Sequence, residues 1–101
     1  MSRFVLTPAA RGDLEEIVDF IAMDSPDAAQ RIRRELRNSM RMLARTPGMG
    51  HFRRDLSDEP LRFWQVYSFL IIYRPETRPL QILRVLRAAR DVKTILQLSE
   101  K

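Results

Sequence analysis

Hydrophobic residues recur at helical spacing in the first part of the chain. After Thr7-Pro8 they fall three or four positions apart, which predicts a helix with one buried face: Ala10, Leu14, Ile17, Val18 and Ile21. Thr7 is a favourable N-cap, and Pro8 suits the first turn because its missing N–H would have no partner there. The acids of this helix are expected on its solvent face: Asp13, Glu15, Glu16 and Asp19.

A second helix of about 20 residues is predicted from the Ser25-Pro26 start signal onward. Its apolar stripe is Ala29, Ile32, Leu36, Met40 and Leu43, and its exposed positions carry Arg31, Arg33, Arg34, Arg37, Arg41 and Arg45. The simplest interpretation of these arginines is a solvated face that matches the acidic first helix in an antiparallel hairpin. Thr46–Gly50 contains Pro and Gly and ends the helix.

The second half of the chain is rich in aromatic and β-branched residues and predicts strands. The predicted strands, with a short one at the N-terminus, are Arg3–Leu6, Leu61–Tyr67, Ser68–Arg74 and Leu80–Arg87. Residues 69–73 show no polar alternation, so this strand should be central or covered on both faces. His51–Pro60 is interpreted as a polar loop and Pro75–Pro79 as a turn. A short C-terminal helix should begin after Asp91.

The order of these elements predicts a single α+β domain over residues 1–101. The helical hairpin should cover one face of a small antiparallel sheet. The other face is expected to be open and concave, and to form a groove for a partner. The facing of individual strand residues is uncertain by one position, because a one-residue shift exchanges the two faces.

The charge distribution indicates an anionic partner. The chain carries a formal net charge of +5, and 16 of its 18 basic residues are Arg. Residues 61–101 hold eight basic residues against three acids, so all the excess lies there. Arginine suits bidentate contacts with phosphates or carboxylates, so nucleic acid and an acidic protein segment are both candidate partners.

Composition argues against several other classes of function. The chain has no Cys, one His and three Gly, which argues against disulfides, thiolate metal sites and glycine-rich phosphate loops. We expect no metal and no cofactor, and we interpret His51 as a solvated loop residue. No apolar run approaches the ~20 residues of a membrane span, and no signal peptide is recognisable. We therefore expect a soluble cytoplasmic protein.

The candidate functional residues are arginines interleaved with aromatic residues on the predicted strands. They are Arg62, Trp64, Arg84, Arg87 and Arg90. Such a surface can bind phosphates and stack bases, hold an acidic peptide, or simply be a solvated face. Arg84 interrupts an apolar strand, so it should face the uncovered side of the sheet or be paired, because an unpaired buried charge is costly.

In the order and spacing of its motifs the sequence resembles the ParE/RelE superfamily of type II toxins, and the ParE branch in particular. The motifs that carry the resemblance are Ala10-x-x-Asp13-Leu14-x-x-Ile17-x-x-Phe20-Ile21, Ser25-Pro26-x-Ala28, Leu43-x-x-x-Pro47-Gly48-x-Gly50, Leu61-Arg62, Phe69–Arg74, and Ile82–Arg87 followed by Arg90-Asp91. Together they cover nearly the whole chain.

The resemblance implies one of two activities. ParE-like members inhibit DNA gyrase through protein contacts and are not known as enzymes, whereas RelE-like members are ribosome-dependent endonucleases that cut mRNA. The nuclease branch typically needs a C-terminal Tyr or His as proton-transfer group. The tail after Asp91 has neither, and Arg87 stands where relatives often have His. This departure favours the ParE branch.

The resemblance also implies the partners and their sites. A cognate antitoxin is expected to lay an acidic amphipathic segment in the sheet groove, against Arg62, Trp64, Arg84, Arg87 and Arg90. If the chain were instead a nuclease, Arg62, Arg84 and Arg87 would contact the mRNA of the ribosome complex. A third hypothesis is a non-toxic member that binds DNA only in complex with its antitoxin.

Overall fold

The computed structural model describes residues 3–99 and confirms the predicted α+β fold class. In chain order its elements are β1 (Phe4–Leu6), α1 (Pro8–Ala22), α2 (Pro26–Arg45), a 3₁₀ turn (Pro47–Met49), β2 (His51–Phe52), β3 (Arg62–Val66), β4 (Phe69–Arg74), β5 (Leu80–Arg87) and α3 (Val92–Ser99). The predicted helix starts are confirmed, because Thr7 Oγ1 accepts from the Ala10 N–H and Ser25 Oγ from the Ala28 N–H.

The five strands form one sheet in the order β1-β5-β4-β3-β2. Four consecutive strands pair antiparallel, and β1 joins β5 in parallel. The prediction that residues 51–60 form only a loop is wrong at its start, where β2 pairs with β3. A strand of two residues is too short to produce a recognisable alternation.

The sheet has an apolar core on each face. On one face α1 and α2 pack on alternate residues of β4 and β5, including Ile71, Tyr73 and Val85. On the other, Val92 and Leu96 of α3 pack against Phe63, Leu70, Ile72 and Leu86. The first five residues of β4 are buried, as its lack of alternation predicted.

The prediction of an open, concave sheet face is therefore wrong. The short C-terminal helix folds back over that face, and Leu56 and Leu61, from the segment before β3, also pack there. The sequence predicted α3 as an element, but it did not show that its apolar side chains would close the second face. A sheet face that is covered in this way cannot present a cluster of exposed arginines.

Candidate functional site

An ion pair between Asp13 of α1 and Arg84 of β5 joins the helix layer to the sheet. Arg84 Nε donates to Asp13 Oδ2 over 2.7 Å, and Arg84 Nη2 donates to Asp13 Oδ1 over 2.8 Å. The Val85 N–H also donates to Asp13 Oδ2, at 3.0 Å. Asp13 therefore accepts three hydrogen bonds, and these offset the cost of removing its carboxylate from water.

The pair lies in a largely buried position. The side chains of Arg84 and Asp13 are 17% and 9% exposed. The hydrogen bond with Asp13 raises the pKa of the Arg84 guanidinium above its ordinary value, so Arg84 is charged at every relevant pH. The prediction that all acids of α1 face solvent is wrong for Asp13, and Arg84 follows the second of its two predicted alternatives, pairing.

This pair sits where β5 has an open edge. β1 covers β5 only from Leu80 to Ile82. In an antiparallel ladder hydrogen-bonded pairs alternate, and the bond from the Ala88 N–H to the Ser68 carbonyl sets the phase of that alternation. Val85 and Arg87 consequently direct their backbone groups away from β4, and Asp13 accepts the first of these N–H groups.

A groove runs along this open edge between α1 and β5, and we call it the α1–β5 groove. Its volume is about 430 Å³, and its walls are Asp13, Glu16, Ile17, Phe20, Val85, Leu86, Arg87 and Arg90. The Arg87 guanidinium lies over the Phe20 ring, 4.6 Å from its centroid. Phe20 is 58% exposed, so the groove offers an apolar aromatic surface beside two exposed arginines, Arg87 and Arg90.

Arg62 and Trp64 lie elsewhere, although the sequence grouped them with the other candidates. Arg62 stacks on the Phe52 ring at 4.0 Å and donates to the Gly50 carbonyl over 2.7 Å, near the β2 edge of the sheet. Trp64 is half-buried against the helix-side core. The expected cluster of Arg62, Arg84 and Arg87 is thus divided, because β4 separates β3 from β5.

Within residues 3–99, His, Asp and Glu side chains form no group of three or more suited to a metal ion. His51 is exposed on β2. Tyr73 is fully buried, and its hydroxyl donates to the Pro47 carbonyl and accepts from the Gly50 N–H. Burial raises the pKa of Tyr73.

Sequence reasoning missed Asp13 and Phe20 as members of the site. A signal for Asp13 was present, because it lies three residues after Ala10 and four before Ile17, on the apolar stripe itself. An acid on a buried helix stripe and an Arg inside a buried strand each need a partner of opposite charge. Pairing the two would have identified the contact. Phe20 was visible as an aromatic residue on the acidic face of α1.

Comparison with known families settles the relationship of the chain. A family model described as "ParE toxin of type II toxin-antitoxin system, parDE" matches residues 4–92. The chain belongs to the ParE toxin family. The match begins at β1 and ends at the start of α3, so it includes every residue of the α1–β5 groove.

Solved structures agree with this ParE-family assignment at the level of fold. The chain is similar to a structure titled "Chromosomal ParDE TA system from P. aeruginosa", with 24% sequence identity and a TM-score of 0.68. The similarity covers 86% of this chain and 96% of that one. A comparison with curated proteins found no match. No helix between residues 3 and 99 combines the length and apolar character needed to cross a membrane.

Proposed function

We propose that this ParE-family toxin acts in the bacterial cytoplasm by inhibiting DNA gyrase through protein contacts, and that a cognate antitoxin neutralises it. The observation that carries the proposal is the engagement of Arg84 with Asp13. A ribosome-dependent nuclease would need this guanidinium on the mRNA phosphate. Here two of its nitrogens bind a carboxylate of the same chain, which favours the gyrase branch over the nuclease branch.

The positions of the other two nuclease candidates give further support. Arg62 binds the Gly50 carbonyl and stacks on Phe52, so it holds the segment after α2. Among residues 3–99 neither Arg62 nor Arg87 forms an ion pair, and of the three candidates only Arg87 is exposed. An isolated arginine can contact a partner protein, but it does not supply a proton-transfer pair.

The α1–β5 groove is the proposed antitoxin site. An acidic amphipathic segment would place an apolar side chain against Phe20 and its carboxylates near Arg87 and Arg90. The proposal is supported by the chemistry of the groove, because aromatic surface and Arg are the groups that contribute most to protein interfaces. Occupation of the groove would also cover Arg87 and Arg90, which we propose as the arginines that contact gyrase.

Two reactions run in parallel test the proposal. The purified toxin is added to a gyrase supercoiling reaction and to a translating ribosome system. We expect cleaved plasmid to accumulate in the first and mRNA to remain intact in the second. Cutting of mRNA within A-site codons without any effect on gyrase would overturn the proposal.

Charge-reversal variants locate the surface involved. Arg87→Glu combined with Arg90→Glu should abolish gyrase inhibition and antitoxin binding. Arg53→Glu combined with Arg54→Glu is the matched control, because it changes the net charge equally in the exposed segment after β2. Equal loss of inhibition in both variants would show that net charge, and not this surface, matters.

A further inference from the structure

One outer face of α2 carries a row of arginines that the proposed groove does not use. Arg34, Arg37, Arg41 and Arg45 follow one another at intervals of three, four and four residues, so their side chains lie on one side of the helix. We call this row the arginine stripe. It extends over about 16 Å of the helix axis at 1.5 Å per residue.

The stripe has an excess of positive charge that the protein itself does not neutralise. Among residues 3–99, none of its four guanidinium groups forms an ion pair. Arg37 stacks on the Phe4 ring, 5.4 Å from its centroid, and Arg41 donates to the Asn38 side-chain oxygen. The arginines therefore repel one another along the helix, and like charges at this spacing lower helix stability.

The two acids of α2 lie apart from the centre of the stripe. Asp27 is in the first turn of the helix. The Tyr67 hydroxyl, in the turn between β3 and β4, donates a hydrogen bond to the Glu35 carboxylate, which raises the pKa of Tyr67. The sequence predicts a solvated face whose charge matches the acidic α1, but among residues 3–99 the arginine stripe forms no ion pair.

The chemistry of this face fits phosphates better than a protein. None of the large exposed hydrophobic side chains belongs to α2, so the stripe lacks the aromatic or aliphatic anchors of a protein interface. It also lacks exposed aromatic residues on which the bases of a single strand could stack. Arginines repeated along one side of a helix can neutralise successive phosphates of a duplex, whose negative charges also repeat at short intervals.

We propose that the arginine stripe binds the phosphate backbone of duplex DNA. The choice of DNA over RNA rests on the proposed function, because DNA is what gyrase holds. The stripe would then place the toxin on DNA next to the enzyme, while the α1–β5 groove and its arginines engage protein. Binding is independent of base sequence, since phosphates carry no sequence information.

The test measures binding of the full chain to a fluorescently labelled DNA duplex of 20 base pairs at several salt concentrations. Each phosphate neutralised contributes about −0.9 to the slope of log K against log salt. Four contacts predict a slope of about −3.6. Arg34→Gln combined with Arg45→Gln should reduce it to about −1.8 and weaken binding, while Arg53→Gln combined with Arg54→Gln should leave it unchanged.

The outcomes separate this inference from the proposed function. Three results would overturn the proposal that the stripe binds duplex DNA. They are absence of DNA binding at 50 mM salt, tighter binding to a duplex RNA of the same sequence, and equal weakening of binding in both variants. Gyrase inhibition by the parent protein is read separately and without reference to the variants. If gyrase is inhibited but free DNA is not bound, only the stripe fails; if DNA is bound but gyrase is unaffected, the proposed function fails.

Discussion

The ion pair between Asp13 and Arg84 predicts that removing one partner lowers the free energy of unfolding more than its share of the loss when both are removed. Asp13→Asn keeps an acceptor for the Val85 N–H but removes the carboxylate that binds Arg84 through two hydrogen bonds. We expect a loss of about 3–5 kcal/mol in the free energy of unfolding, measured with urea. Combining it with Arg84→Met should cost less than the sum of the two single changes, because no unpaired charge then remains. Strict additivity would mean that the pair has no direct coupling.

Gly50 is required by its contact with Tyr73. A Cβ at position 50 would meet the Tyr73 hydroxyl, and it would lie 2.9 Å from Cε1 of the same ring. Tyr73 is fully buried, so a shift of its ring would disturb the packed side chains around it. Gly50→Ala should therefore lower the free energy of unfolding by about 1–3 kcal/mol, as measured by chemical denaturation.

Gly48→Ala is the control for this effect. A Cβ at position 48 meets no atom within 4 Å, so its cost should stay within about 0.5 kcal/mol. If both substitutions destabilise the protein equally, chain flexibility of the Pro47–Met49 turn is the cause and the Tyr73 contact is not.

At the scale of elements, α3 carries a pH dependence at its first turn. Asp91 accepts hydrogen bonds from the Thr94 side chain at 2.8 Å and from its N–H at 3.3 Å. These bonds lower the pKa of Asp91 from its ordinary 3.8. A carboxyl whose folded pKa is depressed stabilises the fold above its unfolded pKa, and this contribution is lost as pH falls through the folded value.

We therefore expect the amide protons of α3 to lose protection below about pH 4, as measured by hydrogen exchange corrected for the intrinsic pH dependence. Asp91→Asn caps the helix without titrating, so it should remove the pH dependence while retaining the helix. An unchanged acid transition in this variant would assign the effect to another carboxyl group.

The elements themselves were predictable because each has a local signal. Thr7, Ser25 and Asp91 start the three helices as the sequence predicted, and the lack of alternation in residues 69–73 identified the central strand. The position of the candidate site was not predictable in the same way. Arg84 could bind another protein or Asp13 of the same chain. Which of these it does depends on where β1 stops pairing with β5, and that point is set by the strand register.

The covered sheet face was missed for a related reason. The spacing of Val92 and Leu96 predicts a helix, but not the surface on which it packs. The sequence therefore predicts one cluster of sheet arginines, although Arg62 binds the segment after α2 and Arg87 lies across the sheet beside Phe20. Only tertiary contacts distinguish these locations.

At the scale of the whole molecule, the net charge of +5 and the α1–β5 groove are expected to affect different steps of association with the acidic antitoxin that we propose. Long-range attraction accelerates encounter and is screened by salt, whereas buried contacts govern dissociation. Arg87→Gln should therefore lower the association rate at low salt with a smaller effect on dissociation. Phe20→Ala should mainly raise the dissociation rate, because the lost surface matters only after docking.

Both rates can be measured by surface plasmon resonance with the cognate antitoxin that we propose, between 50 and 500 mM salt. The association rate of the parent protein should fall with increasing salt, as the Debye length shrinks from roughly 14 Å towards 4 Å. Arg78→Gln removes the same charge from an exposed turn between β4 and β5 and is the matched control. It should change the association rate less than Arg87→Gln, because only Arg87 adjoins the groove. If the two variants behave alike, or if Phe20→Ala leaves dissociation unchanged, the antitoxin docks on another surface of the toxin.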